Sequence, residues 1–192
     1  MISHARCLAA ALALLLTPLW IPAGSAAPPK AEVKSKAKPV QQKEGVVKLG
    51  GAQGWDAYSD TEKGHKICYL VGEPTKSEPA NAKRSKIYAS VTHRPAEKVS
   101  NEVSFNAGYL FKDGSDAELI VDSHKFSLFT NKDSAWSRDA ATDKAVVEAL
   151  AKGKTAVLKG TSARGTETTD TYSLAGLSQA LGQIDKGCGV KR

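Results

Sequence analysis

From residue 54 to residue 162 the chain is written largely in short alternating runs. GWDAYSD, HKICYLV, SKIYASVTH, NEVSFNAGY, AELIVD, KFSLFTN and KTAVLKGTS each show a period-two exchange of polar and apolar residues or a brief apolar stretch, and Gly, Asp, Asn, Pro or Lys-rich breaks separate them. Period two sends successive side chains to opposite faces of a strand. In HKICYLV, Cys68 and Leu70 therefore point to one face and Ile67, Tyr69 and Val71 to the other. Strands recurring at this close spacing predict meandering antiparallel sheets.

Two stretches carry the helical period instead. TDKAVVEALAKG presents Val146, Val147 and Leu150 on one face, with Thr142 or Asp143 as the cap and Lys152 with Gly153 at the end. DTYSLAGLSQALGQIDKGC places Leu174, Leu177, Leu181, Ile184 and Cys188 at steps of three or four, which aligns them in one apolar stripe. Ser173 is the expected N-cap, and Gly187 and Gly189 suit a left-handed termination. The predicted fold is mainly β: an antiparallel β-sandwich with an internal helix and a C-terminal helix.

The N-terminus reads differently. MISHAR carries a positive charge, LAAALALLL is an unbroken apolar run, and AGSAA offers small residues to a signal peptidase. Thr17 and Pro18 interrupt the run short of the roughly 20 apolar residues that span a bilayer. Residues 1–26 are expected to be a secretory signal peptide cleaved after Ala26, with Cys7 leaving alongside it. Residues 27–44 are rich in Pro and Lys and contain no aromatic residue, which predicts a flexible tether. Residues 45–192 form the single predicted domain, with a length sufficient to build its own core.

Export changes what the cysteines mean. Only Cys68 and Cys188 remain in the mature chain, in an oxidising compartment where paired thiols close into disulfides. Their bridge would tie the last helix to the sheet and, in the chain-entropy picture, stabilise by roughly 4–5 kcal/mol for a loop of this length. No C-x-x-C supports a redox-active pair.

The net charge of +7 is concentrated at the front, because residues 45–192 hold 21 Lys and Arg against 18 Asp and Glu. In the tether Lys30, Lys34, Lys36, Lys38 and Lys43 face only Glu32 and Glu44. Such a segment favours weak contact with an anionic surface. Export makes nucleic acid a poor partner.

Chemistry is sparsely written. His65, His93 and His124 stand in or beside three different predicted strands, and no H-x-x-H, H-E-x-x-H or G-x-S-x-G is present. Asp122 and His124 could serve a metal, but DSH reads equally as the turn of the VDSHKF hairpin. GTSARGTETTDT, with Gly160, Arg164 and Gly165, lacks the lysine and strand-to-helix context of a P-loop and reads as a strand, a turn and a Thr-rich edge. Asn101 and Glu102 read as a turn leading into a strand. No metal and no cofactor are expected.

KICYLVGEPTKS, VTHRPAEKVSNEVSFNAGYLFKDGS, SAWSRDAATDKAVVEALAKG and GTSARGTETTDTYSLAGLSQALGQIDKGC, taken in this order from Trp55 to Cys188, resemble the invasion-associated locus B family of exported bacterial proteins. The resemblance implies a cell-envelope or secreted protein without recognised catalytic residues, in which Cys68 and Cys188 correspond to the family's cysteine pair. It also implies a virulence-related family, named for a member that contributes to entry into host red cells. The Lys- and Pro-rich tether departs from the family pattern.

The expected function is that of a non-enzymatic module, periplasmic or elsewhere in the cell envelope or secreted, that binds an envelope or host-surface protein or glycan. Trp136, Tyr58 and Tyr109 are its candidate partner contacts. The alternative is a hydrolase or redox enzyme using His93, His124 or a free thiol.

Overall fold

The computed structural model describes residues 45–192, so the expected signal peptide and tether, including Cys7 and the five tether lysines, lie outside the described residues. All seven alternating runs are strands. With the Thr-rich edge and three strands that the pattern does not announce, they are β1 (Val47–Ala52), β2 (Trp55–Glu62), β3 (His65–Gly72), β4 (Lys76–Glu78), β5 (Tyr88–Arg94), β6 (Val99–Asn106), β7 (Asp116–Val121), β8 (His124–Asn131), β9 (Ser134–Trp136), β10 (Thr155–Thr161) and β11 (Glu167–Ser173). The helices are α1 (Ala140–Lys152) and α2 (Leu177–Cys188).

The strands form one antiparallel sheet in the order β1-β2-β3-β5-β6-β9-β8-β7-β10-β11-β4. Phe105 on β6 and Tyr172 on β11 stand five places apart in that order, yet their rings meet edge to face at 5.7 Å. The Trp55 indole at the start of β2 likewise donates to the Ser173 carbonyl at the end of β11, 2.9 Å away. The sheet therefore curls until its halves face each other, and the two layers of the expected sandwich are parts of one sheet. The core between them holds Val91, Val103, Phe105, Leu119, Leu128, Leu158 and Tyr172, all 2% exposed or less.

α1 forms where predicted and buries Val146, Val147 and Leu150. Its cap differs: Asp139, not Thr142 or Asp143, accepts from the Thr142 amide at 2.7 Å. Asp143 lies inside the helix and accepts from the Val103 amide on β6 at 2.9 Å, fastening helix to sheet. Burial raises its pKa, against the pull of that amide.

α2 starts later than its apolar stripe. Ser173 is not its cap, because it still pairs with Thr155 in β11, and Gly176, at φ +85°, occupies the cap position. Leu177, Ala180, Leu181 and Ile184 are buried against β1, β2 and β3, each leucine or isoleucine contributing about 1.5–3 kcal/mol relative to exposure. Gly189 terminates the helix in the left-handed region as expected.

Three segments singled out in the sequence take defined structural forms. Asp122 and Ser123 form the hairpin turn between β7 and β8, and the Asp122 carboxylate is taken up by the amides of Lys154 and Thr155. Gly165, at φ +80°, makes the turn between β10 and β11, but β11 is not an edge, since β4 pairs outside it. Asn101 sits within β6 rather than in a turn before it. It adopts φ +66° beside the irregularity where Thr92 and Arg94 slip register with their partners.

Candidate functional site

Alternation gives β2, β3 and β5 two unlike faces. Ala57, Cys68, Leu70, Val91 and His93 point inward and are buried, on the side where α2 packs. Tyr58, Ile67, Tyr69, Val71 and Tyr88 point the other way and line an open concavity of about 770 Å³. All five are half-buried, and Lys48 and Asp56 also reach Tyr58, at its ring and its hydroxyl.

Tyr58 and Tyr69 are direct cross-strand partners and stack with ring centroids 5.5 Å apart. Such a pair gains about 0.5–1.5 kcal/mol beyond area burial and sets both rings as a fixed platform. Burial raises the Tyr69 phenol above its ordinary pKa. The rim alternates in sign. Lys48 contacts Asp56 at 2.8 Å, Lys86 contacts Glu73 at 3.5 Å, and Arg94 holds Glu62 at 2.7 Å and Glu102 at 3.5 Å. The Lys48 hydrogen bond lowers the Asp56 pKa and the same contact raises that of Lys48. These exposed pairs add little stability. They ring the tyrosines with hydrogen-bonding groups of both kinds.

The face continues beyond the concavity. Asp56, Val71, Ser90, Ser104, Trp136 and Phe129 register side by side on β2, β3, β5, β6, β9 and β8, and directly paired residues share a face. The Ser90 and Ser104 hydroxyls join across the middle at 2.7 Å. Trp136 and Tyr58 thus stand on the same face of the sheet, four strand steps apart. Tyr109 does not join them. It lies after β6, packs against Phe111, bonds the Thr168 hydroxyl, and covers the Arg84 guanidinium at 5.6 Å.

Tyr69 and Tyr88 escaped the sequence reading as contacts, although their signal was there. Once Cys68 is assigned to the helix-covered face, its neighbour Tyr69 must point outward. Arg84 and Asp170, which form a buried bidentate pair at 2.8 and 2.9 Å, carried no such signal.

The three histidines separate. His65 and His124 are exposed at the starts of β3 and β8. His93 is fully buried, with Nδ1 accepting from the Asn101 amide at 3.0 Å and Nε2 against Asp185 at 2.9 Å. Cys68 and Cys188 are joined in a disulfide with Cα atoms 5.9 Å apart.

A curled antiparallel sheet, one disulfide holding the C-terminal helix to its inner face, and an aromatic outer face left open define a small disulfide-tied β module. Over residues 55–185 the chain matches the family model described as invasion associated locus B (IalB) protein, and it belongs to that family, which is not a known enzyme family. No curated protein and no solved structure matches the chain.

Proposed function

We propose that the protein is an exported cell-envelope module that works by binding rather than catalysis, and that the open tyrosine face of β2, β3 and β5 is its contact surface for an envelope or host-surface protein or glycan. One observation carries the reading: Tyr58, Tyr69 and Tyr88 stand half-exposed together on a sheet face over which no described element packs. Aromatic rings with polar tips supply contact area at low entropic cost, and they dominate the energetics of binding surfaces. Trp136 extends the same face and serves as an outlying contact, whereas Tyr109 belongs to a different concavity.

The apolar N-terminal run with its small-residue cleavage site supports export, and the Cys68–Cys188 disulfide suits the oxidising periplasm, envelope or exterior. The Lys-rich stretch from Lys30 to Lys43 adds weak attraction to anionic surfaces. The catalytic alternative loses two of its candidates, because both ring nitrogens of His93 are engaged and both mature-chain thiols are bonded.

The test is saturable retention of the purified protein on envelope and host-membrane fractions. Tyr58→Ala with Tyr88→Ala should weaken retention by tenfold or more, on the order of 1–2 kcal/mol, and Trp136→Ala by less. Retention that does not saturate, or that the double variant leaves unchanged, counts against the tyrosine face.

A further inference from the structure

A second concavity, of about 610 Å³, opens where the segment before β5, the segment after β6 and the β10–β11 turn converge. The charged side chains lining it, Lys83, Arg84 and Arg164, are all cationic. Arg84 is neutralised by Asp170, and the pair is nearly sealed from solvent, with side-chain exposures of 5% and 1%. With the Tyr109 ring over its guanidinium, Arg84 braces the wall. Lys83 and Arg164 are different: both are exposed, and neither has an ion-pair partner among the described residues.

Beside these two cations stands Leu110, 61% exposed. Its exposure is imposed by the fold. The neighbouring Tyr109 and Phe111 rings turn together at 5.1 Å, the Ala163 amide donates to the Leu110 carbonyl at 2.7 Å, and the Phe111 amide donates to Lys132 at 2.8 Å. The backbone is thus pinned from both sides with the leucine held outward.

We propose that this concavity binds a ligand carrying a phosphate group next to an apolar group. The phosphate lies between Lys83 and Arg164, where two cations match its double charge, and the apolar part covers Leu110 and the edge of Tyr109. Two sources share this chemistry, a soluble phosphate ester and the headgroup of a membrane lipid.

Titration of isotope-labelled protein with dihexanoyl phosphatidic acid, followed by amide chemical shifts, tests the site. The amides of residues 81–84, 108–110 and 162–166 should move saturably. Inorganic phosphate should move them more weakly, and dihexanoyl phosphatidylcholine should leave them in place. Lys83→Gln combined with Arg164→Gln, two exposed positions, should weaken phosphatidic acid binding by about tenfold or more without changing the melting temperature. Co-sedimentation with phosphatidic-acid vesicles separates the sources. Binding that the double variant loses assigns the lipid headgroup, while absence of vesicle binding alongside intact binding of the short-chain lipid assigns a soluble ester. Unmoved amides, or equal affinity in the double variant, overturn the proposal.

Discussion

His93 Nε2 and Asp185 Oδ1 lie 2.9 Å apart, joining the inner face of β5 to the last turn of α2. Because the Asn101 amide donates to Nδ1, the neutral ring carries its proton on Nε2 and donates it to the carboxylate. Asp185 is held in turn by Arg192, at 2.6 and 3.0 Å. Cys68 is the register partner of His93, so the hydrogen bonds and the disulfide secure the same corner. This corner is an anchor for the C-terminal helix, and it accounts for a histidine that would otherwise invite a catalytic role.

The anchor should make stability depend on pH. Burial lowers the His93 pKa, outweighing the Asp185 carboxylate, which pulls it upward. The unfolded chain therefore takes up this proton near the ordinary value of about 6.5, while the folded protein resists it to lower pH. The contribution is fully present above about pH 6.5 and is lost as pH falls through the folded value. Thermal melts of the wild type should show a falling midpoint between pH 7.5 and 5. His93→Gln should start about 1–3 kcal/mol lower at pH 7.5 and fall less steeply. Parallel curves for the two proteins would show that His93 is not the titrating group.

Loss of the disulfide should act on the same helix. Cys188→Ser is expected to cost roughly 2–5 kcal/mol and to expose Leu177, Leu181 and Ile184, which a dye sensitive to apolar surface would report. Protein lacking residues 1–26, and Cys7 with them, should accept no thiol reagent until it is reduced. An unchanged melting temperature in the variant would mean that packing alone holds α2.

Most of this architecture is legible from alternation, because seven strands bury one face each and the period-two pattern records it. The remaining strands leave weaker marks. β4 and β9 have three residues each, too few for a period, and VKLGGA in β1 breaks its own pattern with Gly50 and Gly51 at a register shift. β11 is polar on both faces, because Thr168 and Asp170 alternate inward with Tyr172. A strand with a carboxylate in the core defies hydrophobic patterning, and the partner that makes it tolerable, Arg84, is 86 residues away. The tyrosine platform was half legible: the sequence assigns its residues to faces, but not which face a helix covers.

That buried pair sets up a third prediction. Asp170→Ala leaves the Arg84 guanidinium uncompensated in a site it cannot leave, which should cost about 3–5 kcal/mol. Replacing both residues, as Arg84→Met with Asp170→Leu, removes the stranded charge and should recover much of that loss. Denaturant melts of the two variants decide it. A double variant no more stable than the single one would mean that the hydrogen bonds from Arg84 to the Ala107 and Glu78 carbonyls, and not the charge, are what the site depends on.

Glycines that look alike in the backbone should respond differently to a methyl group. Gly165 and Gly176 both have positive φ, at +80° and +85°. A side chain in the left-handed region costs roughly 1–2 kcal/mol at either position. At Gly165 a Cβ would meet nothing within 4 Å, so Gly165→Ala should cost only that conformational strain. At Gly176 the Cβ would come within 2.3 Å of the Ala52 carbonyl oxygen, and backbone cannot yield as a flexible side chain does. Gly176→Ala must therefore push the start of α2 away from the end of β1, adding an overpacking cost of about 1–3 kcal/mol. The expected result is a clear gap in melting temperature between the two variants, with hydrogen exchange in Gly176→Ala rising first at Leu177 and in β1. Equal losses would show that the β1–α2 junction can relax, and that the disulfide and the His93–Asp185 contact hold the helix without the close approach at its N-terminus.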